Sequence, residues 1–441
     1  MSAVTNASKT RGFKAHPLRP WRSMIRLTGF VRIGHALKQP NYGVYMCGMS
    51  ISMVGLWIQR VGVGWLTWEL TESAAWLGAV AFADLFPAVF ISPIGGSAAD
   101  RWDRLRLTKI NQVLSLIQAI LLFGLTVSDL ITIEILFALT LYLGIVNAFH
   151  QPVRMALVPS LINREFLPTA VALSSISFNL ARFIGPAIAG VVILVFGTGA
   201  TFGLNALSFA VFLWALSRVR IETAVAPREK DRPGLIREFG EGVRYVASHA
   251  GVAPILIILI VVCLGIRPFQ ELLPGFADHV FGGGADILAL LTCAIGIGAV
   301  TGGLWLAQRS GPEGLARLIL LATVIQAVSI FAFVATDSLW IAVPAVTIAG
   351  LGMTIMGIGV QTLMQLTVDA SVRGRVLSIF GLTFRGVPAL GALIMGAASE
   401  SIGLRWPLAM GALMVLLSLI WAWRQLGGIS SSLEAQAAAP H

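Results

Sequence analysis

The chain has 441 residues, of which 56% are hydrophobic and only 12% charged, with a mean hydropathy of +0.84 and a formal net charge of +10. Soluble domains average about 25% charged residues, so a soluble fold is excluded, and apolar runs of roughly 18 residues or more mark membrane-spanning helices. Cys47, Cys263 and Cys293 lie far apart in apolar runs and the six histidines are scattered, so no metal or dithiol spacing is present. The chain contains no Gly-Lys dipeptide, no HExxH and no GxSxG, which excludes a P-loop and the two hydrolase signatures. We therefore expect a non-enzyme with no cofactor and no metal.

Residues 1–41 form a basic tail with eight Lys/Arg and no Asp or Glu. It has no apolar core followed by a cleavage site, so the first span itself is expected to target the membrane; an organellar presequence is the alternative. Apolar runs follow at about 42–67, 75–97, 107–127, 131–150, 170–195 and 200–217, and again at 251–273, 286–307, 315–335, 339–361, 377–398 and 405–423. Backbone polar groups must be satisfied within lipid, so these runs are helices. The expected fold is an all-α integral membrane protein of twelve helices. Its expected parts are a tail at 1–41, six-helix bundles at 42–217 and 251–424, a linker at 218–250 and a flexible tail at 425–441. Within the linker, 234–247 has the pattern of a short amphipathic surface helix.

Lys and Arg concentrate in alternate connections: the tail, 101–109, 154–164, 218–250, 309–317, 373–375 and Arg424. The opposite loops hold none, apart from Arg405 at the edge of the last. The positive-inside rule then places both termini in the cytoplasm. It also explains the +10 without a nucleic-acid partner. The two halves echo each other. Arg60 and Arg267 are 207 residues apart, as are Gly95-Gly96 and Gly302-Gly303, and "ALSSISFNLARFIGPAIAG" (172–190) resembles "VLSIFGLTFRGVPALGALIMG" (376–396). Parallel six-span repeats are a transporter architecture.

The loop "GGSAADRWDRLRL" (95–107) resembles the Gly-x-x-x-Asp-Arg-x-Gly-Arg-Arg signature of the major facilitator superfamily, carried here by Gly96, Asp100, Arg101, Arg104 and Arg106. Asp103 replaces the expected Gly, and Leu105 interrupts the Arg pair. This variant, with "GLWIQRVGVGWLTWELTESAAWLG" (55–78), "QPVRMALVPSLI" (151–162), "RPFQELLPGFAD" (267–278) and "VRGRVLSIFGL" (372–382), is similar to the branch that includes the enterobactin exporter and macrolide efflux proteins. The resemblance implies that Asp100 is a cytoplasmic clasp toward the other bundle, braced by Arg101 and Arg104. A purely electrostatic anchor is the alternative. Gly185-Pro186 and Gly190 resemble part of a span-5 motif of superfamily antiporters, and Arg182 just before them is read as a satisfied structural Arg, with a ligand role as the alternative. A monomeric transport unit in the bacterial inner membrane is implied as well.

Ionisable residues inside spans are costly and are functional candidates. The resembled fold lines its cavity with spans 1, 4, 7 and 10, which makes Trp57, Gln59, Arg60, Asn147, Arg267, Gln270 and Gln361 candidate substrate contacts. Arg60 and Asp84 lie about 12 and 13 Å from the outer ends of adjacent antiparallel spans at 1.5 Å per residue, so they can pair. The pair is either structural or a proton-exchanging element through Asp84. Arg267 and Glu271, four residues apart, share a helical face and form either an outer ion pair or a substrate and proton contact. The expected function is proton-driven efflux of a small amphipathic molecule, siderophore or drug-like, with the lipid bilayer as the only other partner. An uptake carrier of the same fold and a non-transporting scaffold or receptor are the alternatives.

Overall fold

A computed structural model describes residues 29–221, 235–249, 251–309, 311, 313–368, 370–425 and 427. Most of the basic tail, residues 222–234 of the linker and most of the C-terminal tail lie outside the described residues. Twelve helices are long and apolar enough to cross a membrane. Spans 1–6 are Pro40–Thr71, Ala74–Arg101, Arg104–Val127, Ile133–Ser160, Arg164–Phe196 and Thr198–Arg218. Spans 7–12 are Val252–Gln270, Ala285–Ala307, Leu315–Ala335, Leu339–Thr367, Val372–Ile402 and Arg405–Arg424. Several run longer than their apolar cores, because polar residues continue the helix beyond the lipid-matched stretch.

Helix ends follow local chemistry. Pro40 opens span 1, where its missing N–H costs no bond. Glu72 closes it at a left-handed φ of 48°. Ser73 caps span 2 by accepting the Trp76 N–H at 3.2 Å. Span 2 breaks at Phe86-Pro87, since Pro87 cannot donate into the preceding turn. Asp103 caps span 3, its Oδ1 accepting the N–H groups of Leu105 (2.8 Å) and Arg106 (3.1 Å). That explains why an aspartate stands where the family pattern has glycine. We expect Asp103→Ala to cost about 1 kcal/mol and lower the unfolding midpoint in detergent, with Asp103→Ser recovering most of it.

Packing repeats between the halves. Span 1 lies on spans 5 and 6, span 2 on span 4, and span 3 on spans 4 and 6; in the second half span 8 lies on span 10, and span 9 on spans 10 and 12. The halves meet through spans 2 and 11 and through spans 5 and 8. Small residues permit this closeness. Gly190 has no room for a Cβ against Ala289, and Gly78 and Gly396 bring spans 2 and 11 into backbone contact. The buried core of the second half continues into Trp65, Trp68 and Leu77 of the first. The linker does hold a helix, Leu235–Ser248, and it is docked: Glu241 pairs with Arg375 of span 11 at 2.8 Å.

Candidate functional site

The break in span 2 and a break in span 7 bring charges together between the halves. Gly144 of span 4 presses on the carbonyls of Ala83 and Asp84, fixing the last turn before Pro87. Span 7 is regular only over Val252–Gly265 and continues as a 3-10 turn, Arg267–Gln270. Pro268 cannot donate a backbone bond, and Gly391 of span 11 packs against Leu264 O and Pro268. Broken helices at such depth are tolerated where they line a cavity.

Arg60 of span 1 sits between two carboxylates, one from each half. Its Nη2 is 2.9 Å from Asp84 Oδ2 and 3.6 Å from Glu271 Oε1. Their side chains are 25–34% accessible, so none of the three is fully buried. Arg182 of span 5 donates across the interface to Gln270 Oε1 at 3.3 Å. Trp57 is flanked by both guanidinium groups, at 5.4 Å from Arg60 and 5.8 Å from Arg182. Arg267 lies 4.1 Å from the centre of the Phe384 ring in span 11. Arg385, next to Phe384, is exposed, and its nearest charged influences are Arg154, Arg267 and Arg60. A charge at the membrane centre costs about 2.5–3.5 kcal/mol on insertion scales, so this concentration requires a function that offsets it.

Several expectations need correction. Arg267 and Glu271 do not pair, because the 3-10 turn sends Arg267 to Phe384 and Glu271 to Arg60. Gln59 does not face the cavity. It is 1% exposed, donating to Gln118 Oε1 (3.1 Å) and accepting from Asn205 Nδ2 (2.7 Å), which ties spans 1, 3 and 6 together. Arg182, read as a structural Arg or a ligand, is hydrogen-bonded to Gln270 and stands beside Trp57 in the central cluster. Asn147 is half-buried and Gln361 exposed, and neither hydrogen-bonds to the described residues. Gly185 has no room for a Cβ against Trp57 of span 1, and Pro186 follows it, buried, within the helix.

At the 95–107 turn, Gly95 is the residue pressed on the Phe149 carbonyl; a Cβ on Gly96 would find its nearest atom 4.0 Å away. Arg104 donates to the carbonyls of Ala99 (3.0 Å) and Ala156 (3.2 Å), tying the end of span 2 to span 4. Asp100, Arg101 and Arg106 are exposed on the same turn.

Sequence reasoning missed the latch at the opposite end. Glu400 Oε1, from span 11, accepts from Ser73 Oγ (2.6 Å) and from the Ala75 N–H (3.0 Å), capping the start of span 2 from the other half. Trp68 Nε1 donates to Asp278 Oδ2 at 2.8 Å, and the His279 ring stands edge-on to Trp68 at 4.9 Å. A search of these loops for acids as well as for Lys and Arg would have found Glu400 and Asp278. Gly396→Val would drive a side chain into the Ala74 carbonyl and Gly78. We expect it to separate spans 2 and 11 at this end by several ångströms, read as a longer distance between spin labels at Glu72→Cys and Ile402→Cys in a chain without its native cysteines.

Comparison with known proteins agrees with the twelve-helix fold. A family model described as transmembrane secretion effector matches residues 35–437. The chain belongs to this family of the major facilitator superfamily. It is 26% identical to the staphyloferrin A transporter of Staphylococcus aureus, over 80% of this chain and 87% of that one. It is 26% identical to the multidrug efflux pump Tap of Mycolicibacterium fortuitum, over 82% and 90%. The enterobactin exporter EntS of Citrobacter koseri is 26% identical over 75% and 76%. Among solved structures, a bacterial homologue of the human lysosomal transporter Spinster, inward-facing, superposes with a TM-score of 0.69 at 12% identity, covering 93% of this chain and 99% of that one. A bacterial homologue of ferroportin, also inward-facing, gives 0.65 at 14%, covering 87% and 98%. This family member is thus a multi-pass membrane transporter, and efflux of drugs or siderophores occurs among its relatives.

Proposed function

We propose that the protein is a proton-coupled exporter of a small amphipathic molecule, siderophore or drug-like, working by alternating access as a monomer in a bacterial inner membrane. The observation that carries this is Arg60 held between Asp84 and Glu271, one carboxylate from each half. Rocking of the halves lengthens one contact and shortens the other. A carboxylate separated from its Arg in a low-dielectric site favours its neutral form, so each cycle can load and release a proton. The outer latch at Glu400 and Asp278 supports a state closed to the outside, in which substrate enters from the cytoplasm. Export has support from the drug and enterobactin pumps among the relatives. Energy then comes from the proton gradient, with no bound cofactor.

The test uses everted vesicles carrying the protein, made acid inside and offered an extract of the spent growth medium, with accumulation read by mass spectrometry. The expected result is gradient-dependent accumulation of one compound, abolished by nigericin. Accumulation indifferent to the gradient, or none above vesicles lacking the protein, would overturn the proposal.

A further inference from the structure

The cations of the central site outnumber its anions, and they come in repeat-related pairs. Arg60 and Arg267 occupy equivalent places in spans 1 and 7, 207 residues apart. Arg182 and Arg385 precede "FIGP" and "GVP" in the matching stretches of spans 5 and 11. The carboxylates have no such counterparts: the position 207 residues after Asp84 is Leu291, and that 207 before Glu271 is Gly64. The neighbourhood therefore holds four guanidinium groups and two carboxylates, and both carboxylates are on Arg60. Arg182 has a neutral amide as its hydrogen-bond partner, Arg267 an aromatic ring, and Arg385 neither hydrogen-bonds nor ion-pairs with the described residues. Arg60, Arg182 and Arg267 repel one another, and Glu271, already shared with Arg60, offsets this only in part. Toward the cytoplasmic end of span 4, Arg154 extends the positive field to within reach of Arg385. There Tyr45 Oη and His150 Nε2 are buried without a partner.

We infer that this site takes a multiply anionic substrate, a small molecule bearing two or more carboxylates, bridged by Arg182, Arg267 and Arg385 between the two halves. The inference rests on the transporter reading above and narrows its substrate. A guanidinium is always charged, and its planar fork matches a carboxylate in two parallel hydrogen bonds. Arginines contributed by spans 5, 7 and 11 would bind separate carboxylates of one molecule, so one substrate would hold the halves together. Trp57 and Phe384 would cover its apolar part. Asp84 and Glu271 keep Arg60 occupied while the site is empty. The same field repels lipophilic cations, the opposite choice among substrates for a drug pump.

Citrate serves as the probe, with its neutral triethyl ester and tetraphenylphosphonium as contrasts, in calorimetric titration of the purified full chain. Citrate is expected to bind, the ester and the cation not. Arg385→Gln and Arg182→Gln should each weaken citrate at least tenfold, and Arg385→Lys should restore part of the loss. Arg424→Gln, a charge outside the site, should change nothing. Arg385→Gln removes no bond to the described residues, so it keeps the test decisive if Arg182→Gln folds poorly. Failure of citrate to bind at 10 mM, equal binding of the ester, binding of the cation in its place, or citrate binding unchanged by Arg385→Gln would each overturn the inference. Those outcomes leave the exporter reading standing, because gradient-driven accumulation in vesicles decides that separately.

Discussion

Arg60→Gln is expected to reduce transport by at least about 100-fold and to destabilise the protein. The guanidinium is the only cation within ion-pair distance of both Asp84 and Glu271 among the described residues. Breaking a fully buried ion pair from one side costs about 3–5 kcal/mol, because the abandoned charge stays behind. With these side chains 25–34% accessible the cost lies toward the lower end, and each 1.4 kcal/mol is roughly a factor of ten. Here two carboxylates are abandoned, one in each half. The variant also loses the cation that both halves share, so the two arrangements no longer exchange a partner. Arg60→Lys keeps the charge but not the fork that reaches 2.9 Å on one side and 3.6 Å on the other, and should recover only part of the activity. Vesicle transport and the unfolding midpoint of the purified chain check both parts. A full-rate, fully stable Arg60→Gln would show that the triad is incidental.

Asp84→Asn has the second large effect, and a more selective one. The amide keeps the shape and removes the proton-binding group, while Glu271 still neutralises Arg60. Gradient-driven accumulation should fall at least about 30-fold, roughly the loss of one charge-assisted contact of about 2 kcal/mol. Downhill exchange of substrate across the same vesicles should persist. An ion pair with only a structural role would give the reverse pattern: lower protein yield and midpoint, with the remaining molecules coupling normally. Asp84→Asn molecules that still accumulate substrate against a gradient would exclude Asp84 from coupling.

Much of this site is legible in the sequence, for identifiable reasons. The Arg60–Asp84 pair follows from counting helical rise from the outer ends of two adjacent antiparallel spans, because a short loop fixes their relative depth. Twelve spans and their order follow from hydropathy, since a chain in lipid has few alternatives. The partner of Glu271 does not follow, because the four-residue spacing assumes a continuous helix, and Pro268 ends that assumption. Gln59 was misplaced although the signal was present. Gly48, Gly55 and Gly62 recur every seven residues and pack on span 6; Gln59 falls on their face, four after Gly55 and three before Gly62. Arg60, one residue on, points elsewhere. Glu400 and Asp278 act across the interface between halves, and no local pattern encodes which loop faces which. The Asp103 cap is local and readable, as an aspartate directly before a helix start.

The glycines carry the conformational side of the account. Gly78 and Gly396 at one crossing, and Gly190 against Ala289 at the other, bring helices of the two halves into close approach. Small residues at these crossings let the helices approach closely, while the shared core at Trp65, Trp68 and Leu77 must repack when the halves move. The outer latch adds a few hydrogen bonds, from Ser73 and Ala75 to Glu400 and from Trp68 to Asp278. Neutral hydrogen bonds contribute about 0.5–1.5 kcal/mol each and those to charged groups about 1.5–3. Such a latch holds a state closed yet can break in every cycle.

Direction of transport is the central claim, and one measurement addresses it. Small molecules would be quantified by mass spectrometry in cells and in spent medium, with the gene deleted and overexpressed, in low and in replete iron. The account predicts one compound that falls in the medium and rises in the cells on deletion, and is restored by the wild-type chain but not by Asp84→Asn. A compound that stays in the medium and is missing from the deleted cells would contradict it, and would make the protein an uptake carrier.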